Sequence, residues 1–433
     1  MIKRLFNSKF VANTGWIIGQ QIVHMILSLI VGMLSARYLG PANYGVINYV
    51  SSFVTLFSSI ATLGMDSVVV KELIDRPDEE GTVLGSGIFL RAVSGFLSSI
   101  AVILIVFILN PGETETVIVS VLYSICLVFR SFELLDCWFQ RHLASKYTSI
   151  AKTLAYIGVS AYQVILLMSA RSVEWFAFAT SLDYIILALI LFLFYQKQGK
   201  DKLRIDIKSG LGTLKNSYHF IISGLMVSLY GQMDKMMLKS MVDSTAVGLY
   251  STASYICTMW IFIPTAIINS ARPIIMSEKK KSEESYLYRL EQLYSGIIWI
   301  SIFVSLFVSV FGAFIIHLLY GEQYSGAIDA LKVLIWCETF SMIGTARGVW
   351  IVSEGKNKYV KYYLIYGVIV NAILNYTLIP VIGIVGAAIA TLVTQIVTSI
   401  IAPLFYKETR IHTKYVFEAF VCKWFFLRKR RSS

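Results

Sequence analysis

Twelve long apolar runs, joined by short polar connectors, constrain this chain more than any other feature. They lie near residues 14–36, 44–66, 83–109, 116–137, 148–170, 175–195, 216–240, 247–269, 290–318, 327–352, 360–380 and 383–406. A helix needs about 20 mostly apolar residues to cross the hydrocarbon core of a bilayer, and each run is long enough. None alternates like a barrel strand, and only 7 of 433 residues are proline, so the runs read as helices. Of the residues, 56% are hydrophobic and only 15% charged, against roughly 25% charged in soluble domains. With a mean hydropathy of +0.68, a water-soluble enzyme and a disordered chain are both excluded. The expected fold class is an all-α polytopic membrane protein. The first run is not read as a cleaved signal peptide: it is too long, lacks a small-residue cleavage site, and a second run follows at once.

The net charge of +12 would suggest nucleic acid on a soluble protein. On a membrane protein it marks the side on which connectors carry Lys and Arg. With the N-terminus inside, 29 Lys and Arg fall on inside segments and only Arg37 and Arg171 outside. Both termini are therefore expected in the cytoplasm, with no nucleic-acid partner. All outside connectors are short, which argues against a large external catalytic or binding domain. The inside connectors 67–82, 196–215 and 270–289 read as solvated linkers. The tail Val416–Arg431 mixes Phe417, Phe420, Trp424, Phe425 and Phe426 with basic residues, a pattern suited to an anionic inner-leaflet surface or to a partner.

Twelve spans with both ends inside invite division into a six-helix N-terminal lobe (1–195), a linker (196–215), a six-helix C-terminal lobe (216–406) and a basic tail (407–433). Shifting the sequence by 203 lays residues 45–67 over 248–270, with 6 of 23 positions identical. The polar pattern says more. Asn48, Ser52, Thr55, Ser59, Thr62 and Asp66 recur at spacings of four and three, so they share one helix face. Ser251, Tyr255, Thr258, Phe262, Thr265 and Asn269 occupy the matching places. Unpaired polar groups facing lipid are costly. The stripes therefore line either a central cavity between two lobes or a packed helix interface built on small polar residues.

Charges inside spans cost about 2.5–3.5 kcal/mol each on insertion scales, so they select for a hydrated or paired setting. Span 1 places Asn13, Gln20, His24 and Ser28 on one face. Span 7 places His219, Ser223, Tyr230 and Asp234 on one face, with Ser228, Gln232, Lys235 and Lys239 on an adjoining one. Span 3 carries Arg91, span 4 carries Arg130, Glu133 and Asp136, and span 10 carries Glu338, Thr345 and Arg347. Each has a structural alternative: Arg130 and Glu133 stand three apart, placed to pair; Lys239 and Arg37 can snorkel; His24 and His219 can be packing residues. Asp66, Asp234 and Glu338 are the acids that could couple H⁺ or Na⁺ movement. No other cofactor and no metal is expected. There is no GxxxxGK[ST], HExxH or GxSxG, and Gly81–Gly87 opens a span without a preceding strand, so it is no nucleotide loop. The five cysteines form no CxxC or Cys/His cluster.

Several stretches are similar to one family. LSARYLGPANYGVINYVSSF and MDSVVVKEL within Asn13–Leu73, QMDKMMLKSMVDSTAVGLYSTASYI at 232–256, LLYGEQYSGAIDALKVL at 318–334 and NAILNYTLIPVIGIVGAAIATLVTQ at 371–395 resemble the Wzx-type polysaccharide repeat-unit flippases. These belong to the multidrug/oligosaccharidyl-lipid/polysaccharide exporter superfamily. The resemblance implies about 12 transmembrane helices in two six-helix lobes around a central cavity of alternating access. It implies transfer of undecaprenyl-diphosphate-linked oligosaccharide units (O-antigen, capsule or exopolysaccharide) to the outer leaflet of a bacterial cytoplasmic membrane. The implied partners are the lipid-linked glycan, the bilayer and polysaccharide polymerase machinery, with a monomer as default. An anionic diphosphate in a low-dielectric core needs cations, for which Arg91, Arg130, Lys235, Lys239, Arg272 and Arg347 are the candidates. Gln20, His24, Asn48, Thr55, Thr258 and Asn269 are the candidate sugar-facing polar groups. Only the Asp234–Lys235 pair sits where such flippases often show an acidic-basic pair. Two other readings compete: a cation-coupled multidrug exporter of the same superfamily, and a membrane polymerase, which the short outer connectors disfavour.

Overall fold

The computed structural model describes residues 9–199 and 201–421. Trp424, Phe425 and Phe426 of the tail, and Cys422, lie outside the described residues. All described secondary structure is helical. The principal helices are α1 Lys9–Ala61, α2 Asp66–Asp75, α3 Glu80–Leu109, α4 Thr114–Ser124, α5 Cys126–Phe129, α6 Leu134–Arg141, α7 Ser145–Met168, α8 Val173–Gln198, α9 Ile207–Met241, α10 Ser244–Thr258, α11 Phe262–Lys279, α12 Glu283–Leu319, α13 Ile328–Ser353, α14 Val360–Ile396 and α15 Arg410–Phe420.

All twelve apolar runs fall on helix, but not as twelve uniform rods. Spans 1 and 2 are the two legs of α1, which breaks at Gly40 (φ 72°) ahead of Pro41; only glycine adopts that backbone without strain. Spans 11 and 12 are likewise parted at Ile382–Gly383 within α14. Span 4, expected as one helix, is α4, α5, a 3-10 turn at Arg130–Glu133, and α6. Span 8, also expected as one helix, is a pair: α10 and α11 meet at 42° across Met259–Ile261, so the polar stripe read along 251–269 is split between two axes. Among the described residues, seven helical elements are long and apolar enough to cross a membrane, eight with the bent pair. The helices α9 and α13 fall outside that group. They carry Asp234, Lys235 and Lys239, and Glu338 and Arg347, which dilute their hydropathy.

The burial pattern is that of a chain whose solvent is lipid. On α12, Ser301 and Ser305 are fully buried while Phe303 is 71% exposed. On α3, Ser98 and Ser99 are buried and Phe96, Leu97 and Leu104 exposed. Small polar side chains let helices approach, and large apolar ones face outward.

The chain forms two compact units, 1–232 and 233–433, divided inside α9. The basic segment 196–215 packs on the first unit. Arg204 N donates to Gly81 O at 3.0 Å and Asp206 N to Ser86 Oγ at 2.8 Å. A Cβ at Gly85 would lie 2.3 Å from Arg204 O. The glycines at the start of α3 therefore serve close backbone approach. The first unit's inner core joins Met65, Val69 and Leu73 to Leu84, Leu135 and Phe139. That of the second unit joins Tyr286, Leu290 and Tyr294 of α12 to Trp350 of α13 and Val416 of α15.

Candidate functional site

In the second unit a buried carboxylate organises a cluster of hydrogen-bonded polar groups. Asp234 lies on α9 and is 6% exposed. Its Oδ1 accepts from Asn375 Nδ2 at 2.6 Å. Its Oδ2 accepts from Thr391 Oγ1 at 2.6 Å and from the Tyr250 hydroxyl. Asn375 Nδ2 also donates to Asn371 Oδ1 at 3.1 Å. Three helices supply these groups: α9, α10 and α14. The spacing explains the arrangement, since Asn371 and Asn375 stand one turn apart on one face of α14. All these donors are neutral. Asn375 Oδ1 is buried without a hydrogen-bond partner, so the cluster retains a free acceptor beside the carboxylate. The sequence reading named Asp234 and missed its holders. The signal was two Asn four apart in an otherwise apolar helix.

The other residues expected in this unit stand apart from that cluster's hydrogen bonds. Lys235 and Lys239 are half-buried on α9, and Glu338 is half-buried on α13. Arg272 and Asn269 are exposed on α11. Thr258 is exposed and donates to Tyr255 O of its own helix. Arg347, a candidate diphosphate ligand, is buried: Nη1 donates to Thr398 O at 2.6 Å, and the guanidinium carbon lies 4.5 Å from the Tyr363 ring centroid. Thr398 sits in a π-helical turn, Val397–Ile401, which leaves carbonyls free for the cation.

In the first unit, the polar face of span 1 meets α6, α7 and α8. A cavity of about 280 Å³ is lined by Gln20, Gln21, His24, Glu133, Lys152 and Asp183 among others. An adjoining one of about 320 Å³ is lined by Asn13, Gln20, Asp136 and Lys152 among others. Arg130 Nε bonds Glu133 Oε2 at 3.1 Å, and its guanidinium carbon lies 5.2 Å from the Tyr184 ring centroid. Lys152 Nζ bonds Asp136 Oδ2 at 2.9 Å. His24 packs on Tyr156 with centroids 4.0 Å apart. Lys152 and Asp183 were not singled out from the sequence. Each is a lone charge in an apolar run, the same signal that drew attention to Asp234.

Asp66 and Arg91, expected in separate roles, are partners. Arg91 Nη2 lies 3.0 Å from Asp66 Oδ1, with the Arg side chain 1% and the Asp side chain 62% exposed. The span-2 stripe is largely turned on its own helix. Asn48 donates to Tyr44 O, Ser52 to Tyr49 O and Thr62 to Ser58 O, while Thr55 O accepts from Ser58. Besides Asp66, Ser59 reaches another helix, meeting Ser228 of α9 at 2.9 Å.

Comparison with known proteins places the chain. The family model described as polysaccharide biosynthesis protein matches residues 10–277. The capsular polysaccharide biosynthesis protein CapF of Staphylococcus aureus is 22% identical over 94% of this chain and 100% of its own length. The probable flippase AglR of Haloferax volcanii is 28% identical over 40% of this chain and 37% of its own. Among solved structures, the lipid II flippase MurJ in an inward closed conformation has a TM-score of 0.72 at 14% identity, covering 97% of this chain and 93% of that one. An inward-facing multidrug resistance MATE family transporter of the MOP superfamily has a TM-score of 0.68 at 14% identity, covering 93% and 99%. At these identities the structures speak to the fold alone. With more than half of its length matched by the family model, the chain, a multi-pass membrane protein, belongs to the polysaccharide biosynthesis protein family.

Proposed function

We propose that this protein is a flippase that moves undecaprenyl-diphosphate-linked oligosaccharide repeat units from the cytoplasmic to the outer leaflet by alternating access, with twelve spans and both termini in the cytoplasm of a bacterial cell. The observation that carries the reading is full-length similarity to a capsular polysaccharide biosynthesis protein together with a transporter fold. The lipid tail stays in the bilayer, so the protein needs only a polar route for the headgroup and a source of work.

The Asp234 cluster suits the second need. A carboxylate with Asn and Thr oxygens close by is a hard-oxygen set suited to a small cation, and Asn375 Oδ1 offers the spare acceptor. Exchange of H⁺ or Na⁺ at Asp234 is thereby our coupling step. Lys235 and Lys239, on the same helix, and exposed Arg272 are the cations we assign to the diphosphate. Arg347 and Arg91 are buried and engaged within the protein, which favours structural roles for both.

The test is deletion of the gene in a host that makes a surface polysaccharide, followed by lipid extraction and a leaflet assay. Single repeat units on polyprenyl diphosphate should accumulate in the cytoplasmic leaflet. Normal arrival of single units at the outer leaflet without joining would return the polymerase reading. No change in any lipid-linked glycan would leave the multidrug exporter reading in front.

A further inference from the structure

One face of the second unit carries a basic and apolar surface that the transport reading does not use. Two chain segments build it. Lys356 Nζ donates to Glu408 O at 2.7 Å, and the hydroxyls of Tyr366 and Tyr406 meet at 2.8 Å. The rings of Tyr359 and Tyr362 lie 4.9 and 5.7 Å from Tyr406. These contacts fix residues 356–366 and 404–410 side by side, and α15 continues from the second.

The cations on this surface are exposed: Lys358, Lys361, Lys407, Arg410 and Lys414. The ammonium groups of Lys358 and Lys361 are poised over tyrosine rings, at 5.1 Å from Tyr359 and 5.0 Å from Tyr362. Two carboxylates lie along the same segments: exposed Glu408, and Glu418, whose Oε1 is 3.9 Å from Lys414 Nζ. The surface is therefore strongly positive.

Between the cations stand apolar groups that water does not favour. On α15, His412, Thr413, Val416 and Ala419 face inward, and Ser295 Oγ pins the helix by donating to Ala419 O at 2.6 Å. The outer side presents Ile411 and Phe417 at 43% and 60% exposure, and Phe420, 50% exposed, stands at the end of the helix on the side of Val416. Cations interleaved with large apolar groups on the outer face of a docked helix are the signature of an element lying in a headgroup layer. The surface is continuous with the lipid-facing side of α12: the Phe420 ring stacks on Trp299 at 5.8 Å, one turn from exposed Phe303.

We propose that this surface is a binding site for anionic phospholipid headgroups, with phosphates on Lys358, Lys361 and Lys407 and with Ile411, Phe417 and Phe420 at the acyl boundary. The site anchors the second unit on the basic side of the membrane and is separate from any glycan path. The occupant is a bilayer lipid because the apolar groups and the cations share one face that runs into the lipid-facing helix surface. An acidic soluble partner would have no use for that continuity.

The test uses the purified full-length chain in neutral detergent, with phosphatidylglycerol or phosphatidylcholine added and retained lipid counted by native mass spectrometry. The wild type should retain phosphatidylglycerol in preference, and excess inorganic phosphate should not displace it. The variant Lys358→Gln/Lys361→Gln/Lys407→Gln should lose that preference by about tenfold or more, since each cation near an anionic surface contributes severalfold. Its thermal unfolding in lipid-free detergent should match the wild type. A second variant, Phe417→Ser, should weaken retention of both lipids and keep the preference. Equal retention of the two lipids by the wild type, an undiminished preference in the triple variant, or displacement by inorganic phosphate would each overturn the proposal. So would a change of oligomeric mass without a change in lipid retention. No outcome depends on transport, so failure here leaves the flippase reading standing.

Discussion

Asp66 and Asp234 were expected in the same role, yet the protein holds them in opposite ways. The Asp66 side chain is 62% exposed and lies 3.0 Å from a guanidinium that is itself 1% exposed. Asp234 is 6% exposed and takes its described hydrogen bonds from an amide and two hydroxyls. The first arrangement neutralises a buried cation and gives the carboxylate a permanent structural partner. The second holds a carboxylate by neutral donors, with Lys235 beside it on the same helix and no ion pair on it among the described residues. We propose that how an acid is held, rather than its position in a span, separates a structural carboxylate from one that could couple an ion.

The largest expected effect is on the structural side of that contrast. Asp66→Ala should leave the buried Arg91 guanidinium without its ion partner and cost about 3 kcal/mol of stability, the low end for a buried charge stranded by loss of its partner because Asp66 itself is largely in solvent. Chemical unfolding of the purified chain in detergent measures it, and adding Arg91→Leu should restore most of the loss. If Asp66→Ala instead left stability untouched and stopped transport, the two acids would be alike and the contrast would collapse.

Next in size is Thr391→Val, which removes a hydrogen bond to a charged group and should cost about 1.5–3 kcal/mol. Its diagnostic consequence is a raised cation requirement for transport, with the glycan requirement unchanged. A change in glycan affinity alone would mean that the Asp234 cluster touches substrate. The smallest effect is expected at Gly85→Ala, which serves neither acid. Its new Cβ would press on Arg204 O, at a cost of about 1–3 kcal/mol, and proteolysis within 201–206 should become faster. Unchanged protection there would show that the segment is held by other contacts.

Much of the architecture was legible because the bilayer enforces it. Each apolar run must bond its own backbone, and all twelve fall on helix. What the runs hid were their breaks. Gly40 ahead of Pro41 was a readable stop, and so was Pro264, which has no N–H to bond the Trp260 carbonyl four residues back; the turn at Arg130–Glu133 has no proline or glycine to announce it. The site was half legible. A lone Asp in an apolar helix is conspicuous, so Asp234 was found. Tyr250, Asn375 and Thr391 are ordinary in membrane helices and become a cluster only when α9, α10 and α14 assemble around them. The polar stripe of span 2 was legible only as a stripe: Asn48, Ser52 and Thr62 line up by periodicity and each bonds a carbonyl of its own helix, a pairing that spacing alone does not announce.

The central claim, coupling of lipid-linked glycan transfer to an ion at Asp234, is tested most directly in sealed proteoliposomes. These would carry a polyprenyl-diphosphate oligosaccharide in the inner leaflet, with outer-leaflet appearance read by an impermeant glycosidase. With the wild type, transfer should rise when a Na⁺ or H⁺ gradient is imposed. With Asp234→Asn, the gradient-driven rate should fall about 100-fold, equivalent to about 2.7 kcal/mol in the barrier, and the residual rate should ignore the gradient. Full gradient-dependent transfer by Asp234→Asn would contradict the account.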